Sequence, residues 1–221
     1  MTGLTMKKAN RVKLFEEYLE ELFPNPRCEL EYSKDYELLI AVVLSAQTTD
    51  KRVNQVTRVL FERYPSLEAL SEANLEEVAK ILRPIGTFHK KAVFIQEIAK
   101  VLVNHYGGHV PNDPISLQKM PGVGRKTTNV VLSNLYDYPA IAVDTHVERV
   151  SKRLGFCKES DDVSEVEAKL QKVYAKKNWA RRHHQMVLFG RYHCKAMKPE
   201  CDHCKMREVC KYNQKLNKNN L

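Results

Sequence analysis

The sequence predicts an all-α protein, and three observations carry that reading. Apolar residues recur at helical spacing in several segments, helix-starting Ser, Thr, Asn or Asp residues precede them, and no segment makes a convincing strand. The one stretch that reads either way, Leu38-Leu39-Ile40-Ala41-Val42-Val43-Leu44, is apolar all round. With no other convincing strand in the chain, it reads as a central buried helix.

The elements follow in chain order. Val12, Phe15, Leu19 and Leu22 share one helical face over residues 7–23, and Pro24-Asn25-Pro26 stops that helix. Beyond the buried helix lies the turn Ser45-Ala46-Gln47, after which Thr48, Thr49 or Asp50 caps a helix over roughly 50–64. Tyr64-Pro65 breaks it. Asn74-Leu75-Glu76-Glu77 has capping-box spacing for a short helix ending near Leu82, before Pro84-Ile85-Gly86. Ile95, Ile98, Ala99 and Leu102 mark an amphipathic helix after the loop 85–91. Past Gly107-Gly108 and a turn from Pro111 to Pro114, Pro121, Gly122 and Gly124 allow a tight hairpin with positive φ. Lys126 then starts a helical run through Val130, Val131 and Leu135, and Asp144 stands at a further helix start. Asp162-Val163-Ser164-Glu165-Val166-Glu167 offers two overlapping capping-box spacings for a helix to about Tyr174, and another helix runs from about 180 into Cys194. Lys211 to Leu221, rich in Asn and Lys, reads as a polar tail that frays.

A chain of 221 residues buries a real core, as one domain or as two small ones. Its 36 Lys and Arg against 27 Asp and Glu give a net charge of +9, which suits a polyanionic partner, although basic surfaces without one are common. No apolar run approaches the length of a membrane span, and the basic start Met6-Lys7-Lys8 leads into Leu14-Phe15-Glu16-Glu17 instead of a signal-peptide stretch. The expectation is a cytosolic protein without a membrane partner.

The chemistry concentrates in residues 120–150. A glycine hairpin that opens a helix presents backbone N–H groups with the positive end of the helix dipole behind them, which is a site for a phosphate. Gly122, Gly124 and Arg125 are therefore candidate contacts to a nucleic-acid backbone, without regard to base sequence. Lys126 sits where the helix terminus, the adjacent Arg125 and any burial all disfavour a charged amine, so a lowered pKa is expected. A neutral lysine is a nucleophile able to form a Schiff base, for instance at the C1′ of a deoxyribose losing its base. Asp144 offers a carboxylate to activate an attacking group or to stabilise an oxocarbenium-like sugar. Bland alternatives stand beside these: Lys126 as a phosphate contact and Asp144 as a helix N-cap.

The combination Pro121-Gly122-Val123-Gly124-Arg125-Lys126-Thr127 with Val143-Asp144-Thr145-His146 resembles the helix-hairpin-helix DNA glycosylases. The resemblance implies that Lys126 attacks the sugar and supports β-elimination of the strand, while Asp144 assists base loss. Adenine-specific relatives lack a lysine here, so Lys126 favours a combined glycosylase and abasic-site lyase. Leu44-Ser45-Ala46-Gln47-Thr48-Thr49-Asp50 is similar to the family loop whose glutamine enters the gap left by an extruded nucleotide, which makes Gln47 the candidate gap-filler over its reading as a simple turn. In the loop 85–91, where Gly86, His89, Lys90 and Lys91 are further possible DNA contacts, the family often carries a leucine wedge next to the glycine. Thr87 occupies that place here and leaves Phe88 as the bulky apolar neighbour.

Four of the six cysteines, Cys194, Cys201, Cys204 and Cys210, form a C-x6-C-x2-C-x5-C array. Disulfides do not suit a cytosolic chain, and four clustered thiolates suit a tetrahedral zinc, with His203 as a spare ligand, or an iron–sulfur cluster. Spacing alone leaves zinc the commoner reading; the resemblance implies a 4Fe-4S cluster. The segment shows no core of its own, so a cluster would hold its shape, and Lys195 and Lys198 between the first two cysteines would then be presented to phosphates. Cys28 and Cys157 read as core or surface thiols.

The resemblance further implies two helical modules flanking a cleft: residues 28–138 with the helix-hairpin-helix, and a discontinuous cluster module of 1–27 and 139–221. The implied activity is excision of oxidised pyrimidines in base excision repair by a monomer acting on double-stranded DNA with damaged pyrimidines or abasic sites. The damaged nucleotide would be flipped out of the duplex. A glycosylase that only removes an adenine or alkylated base, and a non-catalytic DNA-binding hairpin module, are the alternative readings.

Overall fold

The computed structural model describes residues 6–219, with side chains to residue 216. Every regular element among the described residues is helical: α1 (Lys8–Leu22), α2 (Asp35–Leu44), α3 (Asp50–Arg63), α4 (Leu67–Ser71), α5 (Leu75–Leu82), α6 (Phe88–Tyr106), α7 (Pro114–Gln118), α8 (Arg125–Leu135), α9 (Thr145–Arg153), α10 (Val163–Val173), α11 (Trp179–Leu188) and α12 (Lys211–Asn219). A π-helical turn, Phe189–His193, continues α11 without a break. The chain divides into two compact units, Cys28–Tyr138 and the pair of segments Met1–Arg27 and Pro139–Leu221.

In the 28–138 unit, α2 is the hub. Leu38 through Leu44 are all buried, because α3, α6 and α8 pack around this one helix. An all-round apolar sequence is what a helix with neighbours on every side requires. Its start is fixed by carboxylates: Glu37 accepts from the N–H groups of Ser33 (2.7 Å) and Lys34 (3.2 Å), and Asp35 accepts from Val110 N–H (2.8 Å). Truncating Leu39 here would cost about 2–5 kcal/mol. Ile95, Ile98, Ala99 and Leu102 supply the buried stripe of α6.

Of the three candidate caps for α3, Thr49 does the capping, accepting from Arg52 N–H. Two helices escape the sequence reading, α4 and α7. At five residues each they are too short to show a period, and their signals are only the caps Ser66, and Asp113 followed by Pro114. The hairpin between α7 and α8 needs one left-handed residue, not two. Gly122 has φ +75°, whereas Gly124, expected to share it, is extended at φ −90° because it already serves as the N-cap of α8.

In the other unit, Phe15 and Leu19 of α1 pack with Ile141, Val147, Val150, Phe156, Leu170, Met186 and Phe189. Buried Arg182 of α11 reaches Glu16 (3.1 Å) and Glu20 (2.5 Å), and Gln185 donates to Leu19 O and Phe23 O, so α1 is joined to α11 by polar as well as apolar contact. The segment from 211, expected to fray, is helical through Asn219; residues 220 and 221 lie outside the described residues. Partners supply what its composition lacks. The Arg153 guanidinium lies 4.2 Å over the Tyr212 ring, and Asn213 is buried and donates to Arg207 O (3.1 Å).

Candidate active site

The hairpin of the 28–138 unit is pinned from below. Leu117, Met120 and Val123 are buried, Val123 N–H closes the turn on Met120 O (3.2 Å), and buried Thr128 returns its hydroxyl to Gly124 O (3.0 Å). This leaves Gly122, Gly124, Arg125 and Lys126 on the surface. A Cβ on Gly122 would come within 2.5 Å of the Phe94 ring, so the turn needs glycine for space as well as for its φ. No side chain caps α8. The Lys126 and Thr127 N–H groups, which have no carbonyl partner inside a helix, are presented with the positive helix end. Lys126 stands exposed on that first turn.

A second feature of the same unit lies at the end of α2. Gln47 is exposed with φ +56°, an uncommon conformation for a residue with a side chain. Thr87, at the N-terminus of α6, is also exposed and left-handed, at φ +52°. Phe88 is half-buried, packs on the core of its own unit and lies beside the His89 ring, with centroids 4.1 Å apart. Lys91, grouped with the possible DNA contacts, is instead buried. Its ammonium donates to Leu44 O (2.8 Å), Ala46 O (2.7 Å) and Thr48 Oγ1 (3.2 Å), and burial lowers its pKa. The signal for this was readable, since Lys91 falls on the apolar stripe of Ile95, Ile98, Ala99 and Leu102.

In the other unit, the buried run Ala140 to Val143 leads to Asp144, the N-cap of α9. Its Oδ1 accepts from both His146 N–H (2.9 Å) and Val147 N–H (2.8 Å), which fixes the carboxylate and leaves Oδ2 outside the cap. The helix start rests on Gly190 in the π-helical turn, where a Cβ would approach His146 Cβ to 2.7 Å. Arg149 donates to Gly190 O (2.6 Å) and Cys194 O (3.1 Å). Arg153 donates to Lys195 O (2.7 Å), Ala196 O (2.9 Å) and Cys194 Sγ (3.4 Å). Neither arginine was singled out in the sequence; their four-residue spacing on one helix face was the available signal.

Cys194, Cys201, Cys204 and Cys210 all line one open pocket, together with Leu154, Phe189 and Pro199. Among the described residues, no three His, Cys, Asp or Glu side chains gather as they would around a single metal ion. Burial pushes the thiols of Cys201, Cys204 and Cys210 up, Cys204 to about 11. Met206 and Val209 of the segment are buried in the core it shares with Phe15, Val150 and Phe189. Lys198 is exposed at φ +49°; Lys195, also exposed, pairs with Glu200 at 2.6 Å. Cys157 is buried and Cys28 half-buried.

Residues 40–176 match the family model described as HhH-GPD superfamily base excision DNA repair protein. The chain is similar to endonuclease III of Bacillus subtilis (strain 168), 45% identical over 98% of this chain and 99% of that one. It is also similar to endonuclease III of Escherichia coli (strain K12), 41% identical over 96% and 99%. Among solved structures it is similar to a trapped endonuclease III–DNA covalent intermediate, with 47% identity, a TM-score of 0.91, and coverage of 96% of this chain and 100% of that one.

Proposed function

The chain belongs to the HhH-GPD superfamily of base excision DNA repair proteins, and from that footing we propose that it is a bifunctional DNA glycosylase and abasic-site lyase of the endonuclease III type. It excises oxidised pyrimidines from double-stranded DNA. One observation carries the reading: a lysine stands exposed on an uncapped helix turn, directly after a phosphate-type hairpin, in a chain whose relative has been trapped in covalent union with DNA.

In the proposed chemistry, the hairpin N–H groups take a backbone phosphate and set the register of the strand. The amine of Lys126 attacks C1′ as the damaged base departs with the glycosidic electron pair, and loss of the amine proton with ring opening gives a Schiff base. Removal of a C2′ proton then expels the 3′ phosphate, which cleaves the strand. Asp144, held by its cap bonds, stabilises the cationic sugar during base loss. Gln47 fills the gap left by the extruded nucleotide, and Thr87, Phe88, Gly122, Gly124, Arg125, Lys195 and Lys198 are the proposed DNA contacts. Borohydride reduction with a thymine-glycol duplex should trap a covalent complex; absence of one under conditions that release the base would reject the lyase assignment.

The donor set of four cysteine thiols lining one pocket fits the 4Fe-4S cluster of the endonuclease III type. When bound, the cluster holds the segment in shape and supplies the positive charge that keeps the thiolates. Arg149 and Arg153 tie that segment to the helix that Asp144 starts. Cys204→Ser should bleach the iron–sulfur absorption and lower the melting temperature together; iron-free, zinc-loaded protein from anaerobic purification would overturn the cluster. A cytoplasmic location is part of the proposal, and no helix among the described residues is long and apolar enough to cross a membrane.

A further inference from the structure

We propose that Lys91 is a positioning residue for Gln47, an inference that rests on the reading of Gln47 as the gap-filling side chain. Lys91 occupies a place on α6 that an apolar residue would fill, judged by the stripe it shares with Ile95, Ile98, Ala99 and Leu102. A buried ammonium is costly unless its protons are matched, and here three acceptors match three protons. All three acceptors lie between residues 44 and 48, at the end of α2 and in the turn after it. Leu44 O is a last-turn carbonyl of α2, where helix carbonyls lack intrahelical partners and the dipole favours a cation.

The other two acceptors, Ala46 O and Thr48 Oγ1, stand on either side of Gln47. Lys91 thus fixes the chain before and after the residue whose φ is left-handed and whose side chain is exposed. Its own backbone N–H donates to Thr87 O (3.0 Å), the second exposed left-handed residue of this unit. One residue therefore ties together the loop of Gln47 and the turn of Thr87. The three hydrogen bonds offset the cost of burying the ammonium and hold the chain on both sides of Gln47 in a conformation that is itself strained.

The test is a double-mutant cycle read in single-turnover excision of thymine glycol from a duplex, with melting temperature and borohydride trapping on a preformed abasic site recorded for each protein. Lys91→Met should slow excision by the folded enzyme about tenfold, Lys91→Arg should restore most of it, and Lys91→Met combined with Gln47→Ala should be no slower than Gln47→Ala alone. If Lys91→Met does not fold, Thr48→Val, which removes one of the three bonds, replaces it in the same cycle. Losses that multiply in the double variant, or a Lys91→Met protein that melts earlier yet turns over normally, overturn the positioning role. Normal excision by Gln47→Ala would overturn the gap-filling reading beneath it, and a parent enzyme that traps no adduct would overturn the lyase reading itself.

Discussion

At the start of α8 the capping position holds Gly124, which has no side chain to offer the first-turn N–H groups; at the start of α9 it holds Asp144, whose Oδ1 takes two of them. An N-cap is worth about 1 kcal/mol, and α3, α4, α5, α7, α9 and α10 all have one from a side chain. The α8 terminus, like those of α1, α6 and α11, has no side-chain cap, and under the proposed function its N–H groups are the ones that take a phosphate. At α9 the terminus is closed on itself, with one carboxylate oxygen held by two N–H groups. One helix start is built to receive charge and the other to hold it, so binding and chemistry should be separable by substitution at each.

The largest expected effect is at the open terminus. Lys126→Gln removes the amine and leaves the hairpin backbone in place, so it should abolish the trappable adduct and strand cleavage while damaged-duplex binding changes little. An adduct that survives would show that another amine, such as Lys119 or the N-terminus, is the nucleophile.

At the closed terminus, Asn is nearly as good a cap as Asp but carries no charge. Asp144→Asn should therefore leave the melting temperature close to that of the parent while slowing base removal by about 10²–10⁴. Cleavage of a preformed abasic site, where base loss has already occurred, should persist and should still require Lys126. Full base removal by this variant would leave Asp144 as a helix cap and nothing more.

A smaller effect is expected at Gly122, which shapes the open terminus without contributing a side chain. Alanine there meets both a positive φ and the Phe94 ring, at a cost of about 1–3 kcal/mol in the hairpin. Affinity for undamaged duplex should fall several-fold and the dependence of binding on salt should become shallower, as a phosphate contact is lost. Unchanged binding isotherms across ionic strength would place the phosphate contact elsewhere.

How much of this was legible in the sequence depended on whether the signal was local. Asp144 and Asn74 could be read as caps because a cap needs only its own next three residues, and α2 because seven apolar residues in a row leave few alternatives. The hairpin was legible from its glycines, but the φ of Gly124 was not, since that depends on which glycine the helix recruits as its cap. Lys91 and Arg153 were missed as organising residues because their partners lie 43–47 and 41–43 positions away in the chain. The α12 helix was misread partly for the same reason: Tyr212 lies under the Arg153 guanidinium of α9, although Asn213 finds its partner, Arg207 O, only six positions away.

The smallest prediction asks whether the two units respond differently to acid. Glu20 on α1 accepts both ends of the Arg181 guanidinium, with Arg182 and Gln185 adding to it, and this holds its carboxyl at about 2, below the usual 4.5. A depressed pKa stabilises the fold above the unfolded value and is lost as pH falls from about 4.5 towards 2. Glu20 is partly exposed, which screens the pairs and limits its share to about 1 kcal/mol. On protonation Glu20 loses its charge-assisted bonds to Arg181 and Arg182, so α1 should loosen from α11. Hydrogen exchange should then show amides of α1 and α11 losing protection as pH falls from about 4.5 towards 2, ahead of those of the apolar body of α2, Leu38 to Leu44, which carries no titratable side chain. Glu20→Gln should be less stable than the parent near neutral pH and converge with it in acid; a stability gap that stays constant down to about pH 3 would show that the contact works through packing and not through charge.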